Sequence, residues 1–238
     1  MASSAPSTPN GLHRGEPRAD AVQASGRQNP IGVSVIEVET PQGQANAHLH
    51  GVEEPIGALV LGHGAGGGVG APDLVASTEA AHAAGFSVAL VEQPYRVAGR
   101  RSPVPAPRLD QAWQAVVEHL SAGELRELPL IVGGRSAGAR VACRTAADCG
   151  AVGVLCLAFP VHPPGKPEKT RIAELDAVKL PTLVVQGESD PFGMPPSAPG
   201  RSVVTVAGNH GLKADLEAVG GAVADWLPGV VGVARSPT

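Results

Sequence analysis

From residue 56 onward, short apolar runs alternate with longer amphipathic segments, and that alternation predicts the layout of the chain. The runs at 56–61, 86–91, 128–132, 152–159, 182–186 and 202–207 are dominated by Val, Leu, Ile and Ala. They lack the strict in–out alternation of a half-exposed strand. Strands of that kind are buried on both faces, which requires a parallel sheet with helices on both sides. The spacing predicts helices over 74–84, closed by Gly85, over 108–121, over an Ala/Arg/Cys segment reaching toward Gly150, and over a short stretch at 172–178. A last helix spans 212–227 and is expected to stop at Pro228. Upstream, 32–39 and 45–52 flank the turn Pro41-Gln42-Gly43 and read as an antiparallel hairpin at one sheet edge. The predicted class is α/β, with a mostly parallel central sheet. Residues 160–181, rich in Pro and charge, have room for one loop and a short helix but no lid domain.

The 238 residues suffice for one large domain. Residues 1–29 contain almost no large apolar side chain, so this stretch is expected to be a disordered tail. The domain is placed at 30–229, with 230–238 as a frayed end. A net charge of -4 gives no reason to expect nucleic acid or an anionic membrane surface as partner. The excess of Arg over Lys reads as genomic composition bias. No apolar run approaches the ~20 residues of a membrane span and no secretory leader is visible, so the expected location is cytoplasmic. Cys143, Cys149 and Cys156 show no metal-ligand spacing and are expected to be reduced, buried thiols. No feature of the sequence specifies an oligomeric state.

The chemistry centres on Gly134-Arg135-Ser136-Ala137-Gly138, which follows an apolar run and opens a helix. This is a G-x-S-x-G elbow, in which a sharp strand-to-helix turn presents a serine. The pattern alone is weak in a chain this rich in glycine, so the other parts must be found. A serine hydroxyl needs a base, and the base needs a carboxylate to orient it, in the order Ser, Asp or Glu, His for this elbow. Asp190 follows the run 182–186 and is preferred to Glu188, which is still leaving the strand; His210 follows the run 202–207. The oxyanion donors expected are the N–H groups of Ala137 and of Ala65, in the loop His63-Gly64-Ala65-Gly66-Gly67. Three parts thus occur in the required order, each at the C-terminal end of a strand.

Other residues have two readings. Arg135 could hold an anionic substrate group, or pair with a carboxylate such as Glu92. His63, Gly64 and His162 are candidates for lining the substrate pocket. Arg100 and Arg101 read as solvated loop charges, and His48 and His50 share a strand face without a third ligand, so no metal site is expected. A rival from another class takes Gly62, Gly64 and Gly67 as a dinucleotide fingerprint, with Glu92 for a ribose. Against it, Gly68-Val69-Gly70-Ala71-Pro72 separate those glycines from the helix they should open, and the three triad positions go unexplained.

The stretches Leu59-Val60-Leu61-Gly62-His63-Gly64-Ala65-Gly66-Gly67, Tyr95 with Gly99-Arg100-Arg101, Gly133-Gly134-Arg135-Ser136-Ala137-Gly138-Ala139-Arg140, and Pro160-Val161-His162-Pro163-Pro164-Gly165-Lys166-Pro167 together resemble a bacterial α/β-hydrolase group. That group is close to dienelactone hydrolases and shares its domain with eukaryotic testis-expressed hydrolase-like proteins and a histone acetyltransferase complex subunit. The resemblance covers roughly residues 32–228 and departs at Glu92-Gln93-Pro94-Tyr95, where a more aromatic stretch is expected. It implies the α/β-hydrolase fold, with the nucleophile at Ser136, the acid at Asp190 and the base at His210. Dienelactone hydrolases proper use a cysteine nucleophile, so their substrate does not carry over. The expected function is hydrolysis of a small ester or related acyl compound through an acyl-enzyme, without metal or organic cofactor. The alternative is a non-catalytic interaction protein on the same scaffold. With no cap to cover a long chain, short or compact acyl groups are expected.

Overall fold

A computed structural model describes residues 32–235, with side chains to Gly232. The tail expected at 1–29 and the last three residues lie outside the described residues. Eight strands form one sheet in the order β1-β2-β4-β3-β5-β6-β7-β8. β1 (Val33–Thr40) and β2 (Gly43–His50) pair antiparallel as the hairpin, and β2 pairs antiparallel with β4 (Phe86–Glu92). From there β3 (Gly57–Gly62), β5 (Leu130–Arg135), β6 (Gly153–Leu157), β7 (Thr182–Gly187) and β8 (Arg201–Val206) run parallel. Residues of β3, β5, β6 and β7 are buried on both faces apart from the partly exposed Arg135, as their unbroken apolar runs require.

The two faces carry separate cores. On one, α3 (Ala106–Ala122) and α4 (Ala137–Thr145) cover the sheet, with Trp113, Val116, Leu120 and Val141 packed on Val60, Val132 and Cys156. On the other, α1 (Pro72–Ala83) and α6 (Leu216–Arg235) pack Leu74, Val219, Val223 and Leu227 against Leu59, Ile131 and Leu155. Between β6 and β7 only α5 (Ile172–Asp176) forms, so nothing caps the sheet's C-terminal edge from that segment. Cys143 and Cys156 are buried with their sulfurs 3.5 Å apart, and burial pushes the Cys149 thiol up to about 11; all three are free. The four-residue helix α2 (Pro94–Val97) was not expected.

The last helix corrects the sequence reading at both ends. It starts at Leu216, not 212, because Asp215 Oδ1 accepts the Ala218 N–H at 2.9 Å and so caps the first turn. It also runs through Pro228 to Arg235. The expected frayed segment from residue 230 is therefore helical over its described part, and Val230 and Val231 are each only 4% exposed. A proline inside a helix costs about 3 kcal/mol through a lost hydrogen bond and a clash. Burying Val230 against Gly153 and Val231 against Gly57 offsets that cost.

Candidate active site

The C-terminal ends of β3, β5, β7 and β8 converge on one crevice, the place where open α/β sheets bind ligands. At the end of β5 the chain turns into α4 within one residue, and Ser136 takes φ 54, ψ -107. Such a backbone costs a non-glycine residue on the order of 1–3 kcal/mol and persists only where its surroundings enforce it. Two contacts do so. Ser136 N–H donates to Leu157 O at 2.9 Å, and the turn packs directly on β3. A Cβ on Gly134 would lie 2.5 Å from Gly62 O, and one on Gly138 would overlap the same oxygen, so both positions require glycine.

The turn aims Ser136 at the loop after β8. His210 Nε2 lies 2.9 Å from Ser136 Oγ, and His210 Nδ1 lies 2.8 Å from Asp190 Oδ2. If Nδ1 carries the proton, Nε2 is free to accept from the hydroxyl. Asp190, in the loop after β7, has no exposed side-chain surface; its Oδ1 accepts the Phe192 N–H at 2.8 Å and its Oδ2 also accepts from Gln186 Nε2 at 2.8 Å. Gln186 is wholly buried; its Nε2 also donates to Gly193 O at 2.9 Å and lies 3.2 Å from Phe159 O, which ties the Asp190 loop to β7 and to the end of β6. The Phe192 ring stands edge-on to His210 with centroids 4.3 Å apart and shields one side of the imidazole.

A crevice of about 600 Å³ opens over these groups, lined by the glycine-rich loop from Ala65 to Pro72 and by Ser136, Phe192, His210 and Lys213. A larger groove of about 970 Å³ lies between α1 and α6, but it holds no nucleophile beside a base, so the chemistry points to the smaller one. A family model described as an alpha/beta hydrolase domain matches residues 55–213, well over half the chain. The chain belongs to the alpha/beta hydrolase family.

Solved structures agree with that fold. A serine hydrolase without a lid from Xanthomonas campestris superposes with a TM-score of 0.66 at 16% identity, covering 85% of this chain and 96% of that one. Est1E from Butyrivibrio proteoclasticus gives 0.68 at 16% identity, covering 83% and 99%. A dienelactone hydrolase from Anabaena variabilis gives 0.65 at 17% identity, covering 83% and 97%.

In this alpha/beta hydrolase, the loop after β3 is held from below. Ala65 lines the crevice, and its N–H donates to no protein acceptor among the described residues; the same is true of the Ala137 N–H at the start of α4. His63 Nδ1 lies 2.8 Å from Gly64 O, the carbonyl of the peptide that carries the Ala65 N–H. Its Nε2 accepts the Gln93 N–H at 3.2 Å, which makes Nδ1 the protonated nitrogen. Tyr95 Oη donates to Ala65 O at 3.0 Å and pins the next peptide. Burial holds the His63 imidazole below its ordinary pKa, against the raising effect of its Gly64 hydrogen bond.

Several expected pocket residues sit elsewhere. His63 is 3% exposed beneath the loop and does not line the crevice. His162 also lies outside its lining; its Nδ1 is 2.9 Å from Pro163 O, and its ring lies behind Gly193. Gly64 does adjoin the serine: a Cβ there would lie 3.6 Å from Ser136 Cβ and 2.9 Å from Arg135 Nη1. Arg135 pairs with Asp73, not Glu92, at 2.8 Å, and Nη2 donates to His210 O at 3.0 Å. Glu92 instead faces His48 at 3.9 Å. Gln186, Phe192, Tyr95 and Asp73 were missed. Of these, Phe192 stands two residues past Asp190 and Tyr95 belongs to a stretch that carries the family resemblance, so both had a local signal; Gln186 and Asp73 had none that singled them out.

Proposed function

We propose that the protein is a serine hydrolase that cleaves a compact ester or related acyl compound through an acyl-enzyme. The observation that carries this reading is the continuous chain from Ser136 Oγ through the His210 imidazole to the buried Asp190 carboxylate, at the floor of an open crevice. His210 Nε2 takes the hydroxyl proton as Oγ attacks the substrate carbonyl carbon, and the carbonyl π electrons move to oxygen. The Ala65 and Ala137 N–H groups hold that oxyanion. His210 then protonates the departing alcohol. Water, deprotonated by the same nitrogen, attacks the acyl-serine and releases the acid. Asp190 keeps the imidazole in the tautomer both halves need.

Compactness of the acyl group follows from the segment between β6 and β7, which supplies only α5 and no cap. A long chain would lie in water and forgo about 0.8 kcal/mol per unburied CH₂. The reading is tested with a fluorophosphonate probe and a p-nitrophenyl ester series. Wild type should label and turn over acetate and butyrate esters, with no further gain beyond about four carbons. Ser136→Ala should do neither, and equal labelling by the variant would refute the nucleophile.

A further inference from the structure

The lining of the crevice is charged in one sense only. Among the described residues that line it there is no Asp or Glu, while Arg135 and Lys213 are present. Arg135 is neutralised from behind by Asp73, leaving Lys213 as the uncompensated charge. Its stem folds back over the chain just after the base: a Cβ on Gly211 would lie 3.6 Å from Lys213 Cγ and 3.9 Å from Cδ. Lys213 is exposed and lines the crevice together with His210, and among the described residues it forms no ion pair. Gly66, Gly68 and Gly70 also line the crevice; among the described residues their N–H groups have no protein acceptor, and nothing stands within 4 Å of where their Cβ atoms would be. A neutral aliphatic acyl group would leave these donors to water. A substrate ending in an anion would engage them together with Lys213.

Resting on the hydrolase reading above, we propose that the preferred substrate carries an anionic group on its acyl part, received by Lys213 and the glycine-loop N–H groups. The acyl part would be a carboxylate-terminated chain such as that of a dicarboxylic acid half-ester. Lys213 is then a specificity-determining residue that touches substrate away from the reacting atoms.

The test compares kcat/KM for the mono-p-nitrophenyl ester of glutaric acid with that for p-nitrophenyl butyrate. The two acyl chains differ by one terminal carboxylate. Wild type should favour the anionic ester, and the anionic-to-neutral ratio should fall about threefold in Lys213→Met, further in Lys213→Glu, and recover in Lys213→Arg. Added salt should erode the ratio in wild type and not in Lys213→Met. Taking a ratio cancels any loss of folded enzyme. Hydrolysis of the neutral ester with a ratio that the Lys213 variants leave unchanged overturns the anion site and leaves the hydrolase reading intact. Failure of wild type to hydrolyse either ester overturns the hydrolase reading, and the anion site falls with it.

Discussion

Arg135 Nε stands 2.8 Å from Asp73 Oδ2, and the Asp73 side chain is wholly shut off from solvent. The N–H is not aimed along a hydrogen-bond axis, since Oδ2 accepts none of ordinary geometry, so the contact is mainly Coulombic. With Nη2 on His210 O, one guanidinium, one residue before Ser136, ties the first turn of α1 to the loop that carries His210.

Arg135→Met would leave a buried carboxylate unpaired and should cost about 3 kcal/mol in urea denaturation. Arg135→Lys should recover only part, because one ammonium cannot span both partners. Burial pushes the Asp73 carboxyl up, against the lowering influence of Arg135. A raised acid favours the neutral form in the fold, so that stability is complete below the unfolded pKa and is lost as pH rises through the folded one. The Arg135→Met deficit relative to wild type should therefore be larger near about pH 8 than near about pH 5. A deficit independent of pH would show that Asp73 does not carry it.

His63 titrates with the opposite sense. Its depressed pKa means that stability is present above the unfolded value, about 6.5, and is lost as pH falls through the folded one. Wild type should lose melting temperature between about pH 7.5 and about pH 5, and His63→Gln should lose less over the same range. The same substitution should lower kcat more than it raises KM, because it frees the Gly64–Ala65 peptide.

Tyr95→Phe removes a single hydrogen bond, Oη to Ala65 O, from a side chain otherwise packed in the core. Stability should fall by about 1 kcal/mol. Turnover of a p-nitrophenyl ester should fall about tenfold with KM little changed, as expected when an oxyanion donor is loosened but kept. Unchanged kcat would show that the loop holds its shape without Tyr95.

Gly138→Ala places a methyl against the backbone of Gly62 and His63, which no side-chain rotation can clear. The variant should lose about 3 kcal/mol or fail to fold, whereas Gly66→Ala, facing open space, should keep its melting temperature within a few degrees. Comparable melting of the two would mean that the β3–α4 contact is looser than these positions imply.

Deleting residues 229–238 should remove the buried Val230 and Val231, and with them about 3 kcal/mol or more. The melting temperature should drop by about 10 °C. A truncated protein as stable as wild type would show that the burial of Val230 and Val231 contributes nothing to the fold.

Features written in short windows were legible along the chain. Apolar runs without alternation specify the doubly covered strands β3, β5, β6 and β7 and a parallel sheet with helices on both faces; the run at 202–207, expected to be buried likewise, forms the edge strand β8, where Ser202, Val204 and Thr205 are exposed. The order of Ser136, Asp190 and His210, each just past such a run, was legible for the same reason, because loops at one end of a parallel sheet share an edge. Which side chains meet across long separations became visible in the folded chain alone. Glu92 was offered as one carboxylate that could pair with Arg135, but Asp73, on the first turn of α1, is the carboxylate that α1 carries to the elbow. His63 looked like a pocket residue from its place in the loop, yet the loop turns its ring inward, and its two nitrogens hold the loop's backbone instead. Pro228 is a local stop signal that lost to a non-local gain, since the burial of Val230 and Val231 against strands far earlier in the chain offsets one missing helical hydrogen bond. Local propensity is additive along the chain and can be read there; contact energy depends on what the finished fold brings alongside.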